Sequence, residues 1–374
     1  MVRNYPPGWT YADFAPQFKA ELFNATQWAE LFVKAGAKYV VLTSKHHEGC
    51  TLWPSSTSFN WNSKDVGPGK DLVGELSTAV RAEGLHFGVY HSMMDWYHPL
   101  YLQDKRNQWT TQYFVKAKCT NELHELVANY QPDILWSDGE WEAPAEYWNS
   151  TNFLAWLYND SPVRDKILVN DRWGMGVHCK HGDFYNCGDR LNPGKLQPHK
   201  WENCMTMDQR SWGYRRDMTY EDVLSIDVLL KTLAETISCD GNLLINVGPR
   251  ADGTIDAIFQ ERLLQLGEWL DLNGAAIYDS RPWMTQQDPN DHRVWYTTDG
   301  TNVYAIVTLY KLDVQIRLGA LNSSSLNADS VVTILGYELP LQFTTDALGV
   351  TIRLPATGLP QQIKYAPVVK ITLE

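Results

Sequence analysis

Asp138-Gly139-Glu140 lies between two tryptophans, Trp136 and Trp141, directly after the apolar run Ile134-Leu135-Trp136. A carboxylate in that setting suits attack on a sugar. Indole faces give a pyranose ring an apolar platform, and the carboxylate puts negative charge where an oxocarbenium ion develops. The apolar run reads as a short buried parallel strand. In α/β barrels the chemistry sits at the C-terminal ends of such strands. The plainer alternative is an Asp-Gly turn that closes a core strand.

Hydrolysis of a glycosidic bond with retention needs two carboxyl groups, one ionised to attack and one protonated to release the leaving group. Asp138 is the natural nucleophile. Two residues contend for the acid/base role: Asp189, after Cys187-Gly188, and Glu202, in Lys200-Trp201-Glu202-Asn203-Cys204. Asp183 and Glu140 are weaker contenders. His46-His47-Glu48 lacks the HExxH spacing of a zinc site. Its histidines are either ordinary loop residues or donors and acceptors for a sugar hydroxyl. Arg172 is either a structural ion-pair partner or a donor that tunes a carboxylate.

These residues must be carried by strand ends. Ala37 to Thr43 is apolar and leads into Ser44-Lys45-His46-His47. Leu85 to Tyr90 leads into His91-Ser92, and Lys166 to Asn170 leads into Asp171-Arg172. Between them the apolar spacing predicts helices over Gln27–Lys34, capped by Thr26, and over Lys70–Glu83, Asn121–Asn129 and residues 147–158. Residues 176–216 read as a long irregular segment, and such segments inside a domain are commonly functional. A helix over Tyr220–Thr236, a strand over Asn242–Val247 and a helix over Ile258–Leu272 follow. From Arg281 onward helical spacing gives way to short alternating runs such as VWYTT, NVYAIVTL and VVKITL, the texture of an antiparallel sandwich. The reading is an α/β chain: a TIM-like (β/α) barrel domain over 1–280, then an all-β sandwich domain over 281–374. No GxGxxG follows a strand, which argues against a dinucleotide-binding sheet.

The chain has 374 residues, a net charge of −12 and sixteen tryptophans. There is no basic run for a phosphate backbone, so nucleic acid is not an expected partner. No apolar stretch reaches the roughly 18 residues that would span a bilayer. The N-terminal residues lack the apolar core of a signal peptide, which by itself reads as cytosolic. Four Asn-x-Ser/Thr sequons, at Asn24, Asn149, Asn159 and Asn322, argue the other way as glycosylation acceptors. The six cysteines have no zinc spacing and leave the disulfide pairing open.

The chain resembles the animal alpha-L-fucosidases of glycoside hydrolase family 29. The family pattern P-x2-L-x3-K-W-E-x-C stands as Pro193 to Cys204. KYVVLTSKHHEG (38–49), GVYHSMMDW (88–96), WSDGEWE (136–142), VNDRWG (169–174), SWGYRRDM (211–218) and GNLLINVGP (241–249) match as well. The resemblance implies retaining hydrolysis of terminal alpha-L-fucose, with no metal and no organic cofactor. It makes Asp138 the nucleophile. His46 and His47 would hold fucose hydroxyls, Tyr90 and Trp136 would line the pocket, Arg172 would sit near the nucleophile and Trp212 would face the methyl edge. It favours Asp189 over Glu202 as acid/base, because Asp189 keeps the position of the acid in the related GDFYNCGD-type loop.

The implied partners are fucosylated glycoproteins, glycolipids and oligosaccharides, with homo-oligomerisation left open. The implied location of a full-length member is lysosomal or extracellular. One departure stands out: the family's opening Phe-Gly-x-Phe-x-His-Trp-Gly and Ser-Glu-Trp-Phe-Trp motifs are absent. The expectation is therefore a barrel without its first strand, in an N-terminally truncated chain. Its alternative function is a catalytically impaired fucose-binding protein.

Overall fold

The structure, a computed structural model, describes residues 4–311, 315–322, 326, 330–337 and 339–372. Contacts divide the chain into two compact units. One comprises residues up to 33 with 37–188 and 248–256; the other comprises 34–36, 189–247 and 257–374.

The elements of the first part are α1 (Ala25–Lys34), β1 (Tyr39–Lys45), α2 (Leu72–Ala82), β2 (His86–Ser92), α3 (Pro99–Arg106), α4 (Thr120–Tyr130), β3 (Ile134–Asp138), α5 (Ala145–Trp148), α6 (Ser150–Asn159) and β4 (Leu168–Val169). The four strands pair in sequence order and are all parallel. Phe87, Val89 and Leu135 are fully buried, and all five residues of β3 are buried. Helix α2 buries Leu72, Val73, Leu76 and Val80, the spacing of one helical face. Asp71 caps it, accepting a hydrogen bond from the Gly74 amide at 2.8 Å.

Several sequence expectations need correction here. The side chain that satisfies an amide at the start of α1 is Asn24, which accepts from Gln27 N at 3.0 Å, and Thr26 lies inside the helix. The helix expected over 147–158 is two helices, α5 and α6, broken where Asn149 takes a left-handed φ of 56°. The strand expected over 166–170 pairs only at Leu168 and Val169. Helix α3 was not foreseen because only Tyr101 and Asp104 of its eight residues are buried. Its fixed point is polar: the Asp104 carboxylate accepts from Phe114 N at 2.9 Å, Thr111 Oγ1 at 2.6 Å and Tyr147 OH at 3.0 Å.

Beneath the ends of β1 and β2 lies a fully buried charge cluster centred on Glu122 of α4. Lys45 at the end of β1 donates to Glu122 Oε2 at 3.0 Å, and His91 Nε2 on β2 lies 3.0 Å from the same oxygen. Lys118 donates to Glu122 Oε1 at 2.5 Å and to Ser58 Oγ. Burial works against the Glu122 anion, but Lys45 and Lys118 outweigh it and hold its carboxyl well below the usual range. Burial likewise opposes the Lys45 charge, and Glu122 reverses the balance and raises its pKa.

The second part holds β5 (Trp201–Thr206), α7 (Ile226–Ser238), β6 (Gly241–Asn246), α8 (Ala257–Asn273), β7 (Arg281–Gln287), β8 (Val294–Thr298), β9 (Asn302–Val307), β10 (Gln315–Leu318), β11 (Val331–Ile334), β12 (Phe343–Asp346), β13 (Gly349–Arg353) and β14 (Val368–Thr372). Strands β5 and β6 form a parallel pair, with Trp201 beside Gly241 and Glu202 beside Asn242. So residues 201–206, expected within an irregular segment, are a strand. The Trp201 ring lies over Gly241, where a Cβ would come within 2.6 Å of it. Helix α7 starts at Ile226, after a short 3₁₀ turn at Tyr220–Asp222, and is capped by Ser225.

Strands β7 to β14 make two antiparallel sheets, one ordered β11-β14-β9-β8-β7 and one ordered β10-β13-β12. They share a core that includes Tyr296, Val303, Ala305, Ile316, Ile352 and Val369, the two inner faces of a sandwich. Strands β7 and β12 were not foreseen, since RPWMTQQ and FTTD carry little apolar alternation. Helix α7 packs on β7 and β8. From α8, Trp269 Nε1 donates to the Ala366 carbonyl at 2.7 Å. The compact units follow this packing, whereas the change of texture at 281 marks a change of architecture. Of the sequon asparagines, Asn24, Asn159 and Asn322 are exposed and Asn149 is half-buried. Ser324, the hydroxyl of the last sequon, lies outside the described residues.

Two stability predictions follow from the charge cluster. Glu122→Gln strands two buried ammonium groups and lowers unfolding free energy by about 3–5 kcal/mol in urea titrations. Burial, with the nearby Lys45 charge, pushes the His91 imidazole down from 6.5 to about 4. Within that window the unfolded chain binds a proton that the folded chain refuses, so this contribution is present above pH 6.5 and is lost as pH falls towards 4. The urea midpoint of the wild type should therefore fall through that window more steeply than that of His91→Gln.

Candidate active site

Parallel register brings the sequence-predicted residues of the first unit together. Tyr90 on β2 stands opposite Trp136 on β3, and Ser92 stands opposite Asp138. Side chains two apart on a strand share a face, so Tyr90 and Ser92 meet Trp136 and Asp138 on one side of the sheet. Asp138 closes β3 and is 8% exposed. Its Oδ2 accepts from the Tyr90 hydroxyl at 2.5 Å, and its Oδ1 accepts from Arg172 Nη1 at 2.9 Å. The Arg172 guanidinium also lies over the Trp136 ring, 4.7 Å from its centroid, and Trp136 stacks on Tyr90 at 5.5 Å. Arg172 is thus pinned at both its charge and its face.

His47 Nε2 faces Asp138 Oδ2 at 3.8 Å. Its other nitrogen, Nδ1, is 2.7 Å from Ser92 Oγ, and the Ser92 hydroxyl donates to the Met94 carbonyl. Ser92 therefore accepts from His47, which places a proton on Nδ1. His46 is exposed and stacks on Tyr90 at 5.9 Å. Partial desolvation by the surrounding protein holds its imidazole below the usual value, with the Asp138 charge opposing that shift.

Gly139 takes a left-handed φ of 73°, and a Cβ there would come within 2.5 Å of Ser92 Oγ and 3.2 Å of His47 Nδ1. The Asp-Gly pair is thus both a turn and a close approach. Ser92 and Gly139 were missed as site residues. The signal for Ser92 was available in its two-residue spacing from Tyr90. That for Gly139 was not, because the clash involves partners from other strands.

The weaker carboxylate contenders have structural partners. Glu140 is fully buried against His178, and its hydrogen bond raises the His178 pKa. Asp183 accepts from Val169 N at 2.8 Å and Tyr158 OH at 2.6 Å. The segment beyond Arg172 is held by Asp171, whose carboxylate accepts from the amides of Cys179, Asn186 and Cys187 at 2.7, 3.0 and 3.2 Å. A disulfide joins Cys179 to Cys187. Among the described residues these two cysteines and Asp171 form a group with metal-ligand spacing, but the sulfurs are consumed in that bond and the carboxylate in those amides.

In the second unit Asp189 is exposed. The adjacent Arg190 amide donates to the Cys204 carbonyl at 2.8 Å, which ties this loop to β5. Arg190 lies over the half-exposed Trp212 ring at 5.6 Å. Glu202 is 2% exposed and is the second residue of β5, far from that strand's C-terminal end.

Comparison with known proteins identifies the family. The sequence pattern of the family described as Alpha-L-fucosidase matches residues 1–275, and that of the Alpha-L-fucosidase C-terminal domain matches residues 286–372. An alpha-L-fucosidase of Branchiostoma floridae is 56% identical over 360 residues, covering 96% of this chain and 80% of the relative. A tissue alpha-L-fucosidase of Mus musculus is 54% identical over 376 residues, covering 100% of this chain and 82% of the relative. The crystal structure of Thermotoga maritima alpha-fucosidase in complex with fucose superposes with a TM-score of 0.83 at 33% identity, covering 99% of this chain and 84% of that one. The chain therefore belongs to the alpha-L-fucosidase family of glycoside hydrolases, with a TIM-like barrel and a C-terminal β domain.

Proposed function

We propose that the protein is a retaining exo-alpha-L-fucosidase in which Asp138 is the nucleophile and Asp189 the acid/base. The observation that carries this reading is the setting of Asp138. It ends a buried strand, with Tyr90 and Arg172 on its two oxygens and the His47 imidazole facing it. Donors fixed before substrate arrives need no reorganisation as charge moves. In the first step the Asp138 carboxylate attacks the anomeric carbon, the glycosidic bond breaks, and the leaving oxygen takes the Asp189 proton. In the second step water attacks the fucosyl-enzyme and gives a proton to Asp189, which frees Asp138. Two inversions give retention.

The same reading assigns the supporting roles. His46 and His47 hold fucose hydroxyls, Tyr90 and Trp136 line the pocket, and Arg172 steadies the nucleophile. Trp212 faces the apolar edge of the sugar. Asp189 is preferred to Glu202 because it is exposed and loop-borne, whereas Glu202 is buried near the start of a strand. The catalytic domain is placed at 1–280 and the sandwich domain at 281–374, which the two family matches support. The substrates are fucosylated glycans, as the fucose-bound relative suggests. A lysosomal or secreted location, with glycans at the exposed sequons, suits the tissue-type relatives. The binding-only alternative has no comparable support.

Hydrolysis of an aryl alpha-L-fucoside tests the activity directly. Asp138→Gly should lower kcat by about a thousandfold or more. Azide should restore turnover and give a fucosyl azide of inverted configuration, and normal turnover by the variant would refute the assignment. Asp189→Gly should lower kcat/KM by roughly 10²–10⁴-fold for a fucosyl disaccharide and far less for fucosyl fluoride, whose leaving group needs little protonation. Glu202→Gln should affect both substrates alike. The reverse pattern would exchange the two roles.

A further inference from the structure

The aromatic N-terminal segment has no part in the mechanism above, yet it is built with care. Tyr5 stacks on Trp9 at 5.2 Å, and both pack edge-on against Phe14, at 5.0 and 5.7 Å. Phe14 in turn meets the Tyr11 ring edge-on at 5.7 Å. The short helix Tyr11–Gln17 is locked at its start by a reciprocal Thr10–Asp13 capping box. This bracket presents Tyr11, 39% exposed, in a stack against Tyr97, 52% exposed, at 5.6 Å. Tyr97 adjoins Trp96, 45% exposed, at 6.3 Å. The Trp96 amide donates to the His47 carbonyl at 2.8 Å, and the Trp96 ring lies 5.2 Å from the His47 ring. The amides of Tyr97 and His98 are both fixed on Asp95 Oδ1 at 3.1 Å. A row of held but solvent-facing rings therefore runs from the histidine pair outward: Trp96, Tyr97, Tyr11.

We propose that this row is a leaving-group subsite, which takes the pyranose that carries the fucose. The inference rests on the fucosidase reading and names what that site holds next to fucose. Three arguments select this occupant. The row borders the proposed sugar pocket, since the Trp96 ring lies beside the His47 ring. Its members are amphipathic rings with polar edges, which suit the mixed C–H and hydroxyl faces of a sugar. The rings are immobilised before any ligand arrives, so stacking costs little ordering entropy.

The test compares kcat/KM for alpha-L-fucosyl-(1→2)-beta-D-galactose with that for alpha-L-fucosyl fluoride, which has no second ring. In Tyr97→Ala and Tyr11→Ala the disaccharide-to-fluoride ratio should fall by about five- to tenfold, the scale of one lost aromatic contact. Tyr97→Phe keeps the ring and should keep the ratio. An unchanged ratio in both alanine variants would overturn the proposal, as would an equal fall for both substrates. If the wild type hydrolyses neither substrate, the fucosidase reading fails, and the row is then judged by saturation-transfer NMR with methyl beta-D-galactoside. Transfer that Tyr97→Ala abolishes would support the subsite; no transfer to the wild type would overturn it.

Discussion

A single buried carboxylate sets the frame for the pocket. Glu122 reaches from an outer helix to Lys45, the residue before His46, and to His91, the residue after Tyr90. Lys118, held by the same carboxylate, also approaches the Gly49 carbonyl of the His-His-Glu-Gly turn at 3.5 Å. Hydrophobic packing alone would leave strand ends free to shift by fractions of an ångström. A buried ion cluster tolerates little such movement, because an ammonium or carboxylate that loses its partner in a dry interior is costly. The two histidines and the tyrosine are therefore aligned from below by charge, not only by packing.

The pocket residues are locked in a second layer. Arg172 is stacked on Trp136, Trp136 on Tyr90, and Tyr90 donates to Asp138. Asn170 connects β3 to the following loop by accepting from Ser137 N at 3.0 Å and donating to the Ser137 carbonyl at 2.8 Å. Such shells hold a carboxylate to within a few tenths of an ångström. The disulfide and Asp171 do the same for the loop that precedes Asp189 in the chain.

Glu202 sits in a motif that packing constrains tightly. KWENC is a strong family marker, and its glutamate invites a catalytic reading. In the structure the motif is the start of β5, packed against β6 with Trp201 over Gly241. A residue can be fixed by a tight strand–strand fit as firmly as by chemistry. The two carboxylates differ in exposure: Glu202 is 2% exposed, whereas Asp189 is exposed.

By itself the sequence determined the architecture and much of the chemistry. Long apolar periodicities marked α2, α4 and α8, and alternating runs marked β8, β9 and β14, because burial on one face imposes those patterns locally. Strand-end positions marked His46, His47, Asp138 and Arg172 as candidates and the family resemblance added Tyr90; the structure brings Tyr90, Arg172 and His47 around Asp138. What escaped was held by partners distant in the chain. Helix α3 depends on Asp104 reaching Thr111, Phe114 and Tyr147. Strand β5 depends on β6, some forty residues later. Ser92, Gly139 and the Glu122 cluster acquire their roles only when parallel register sets β1, β2 and β3 side by side. Tertiary structure decided these because a polar contact, unlike an apolar stripe, leaves no period in the sequence.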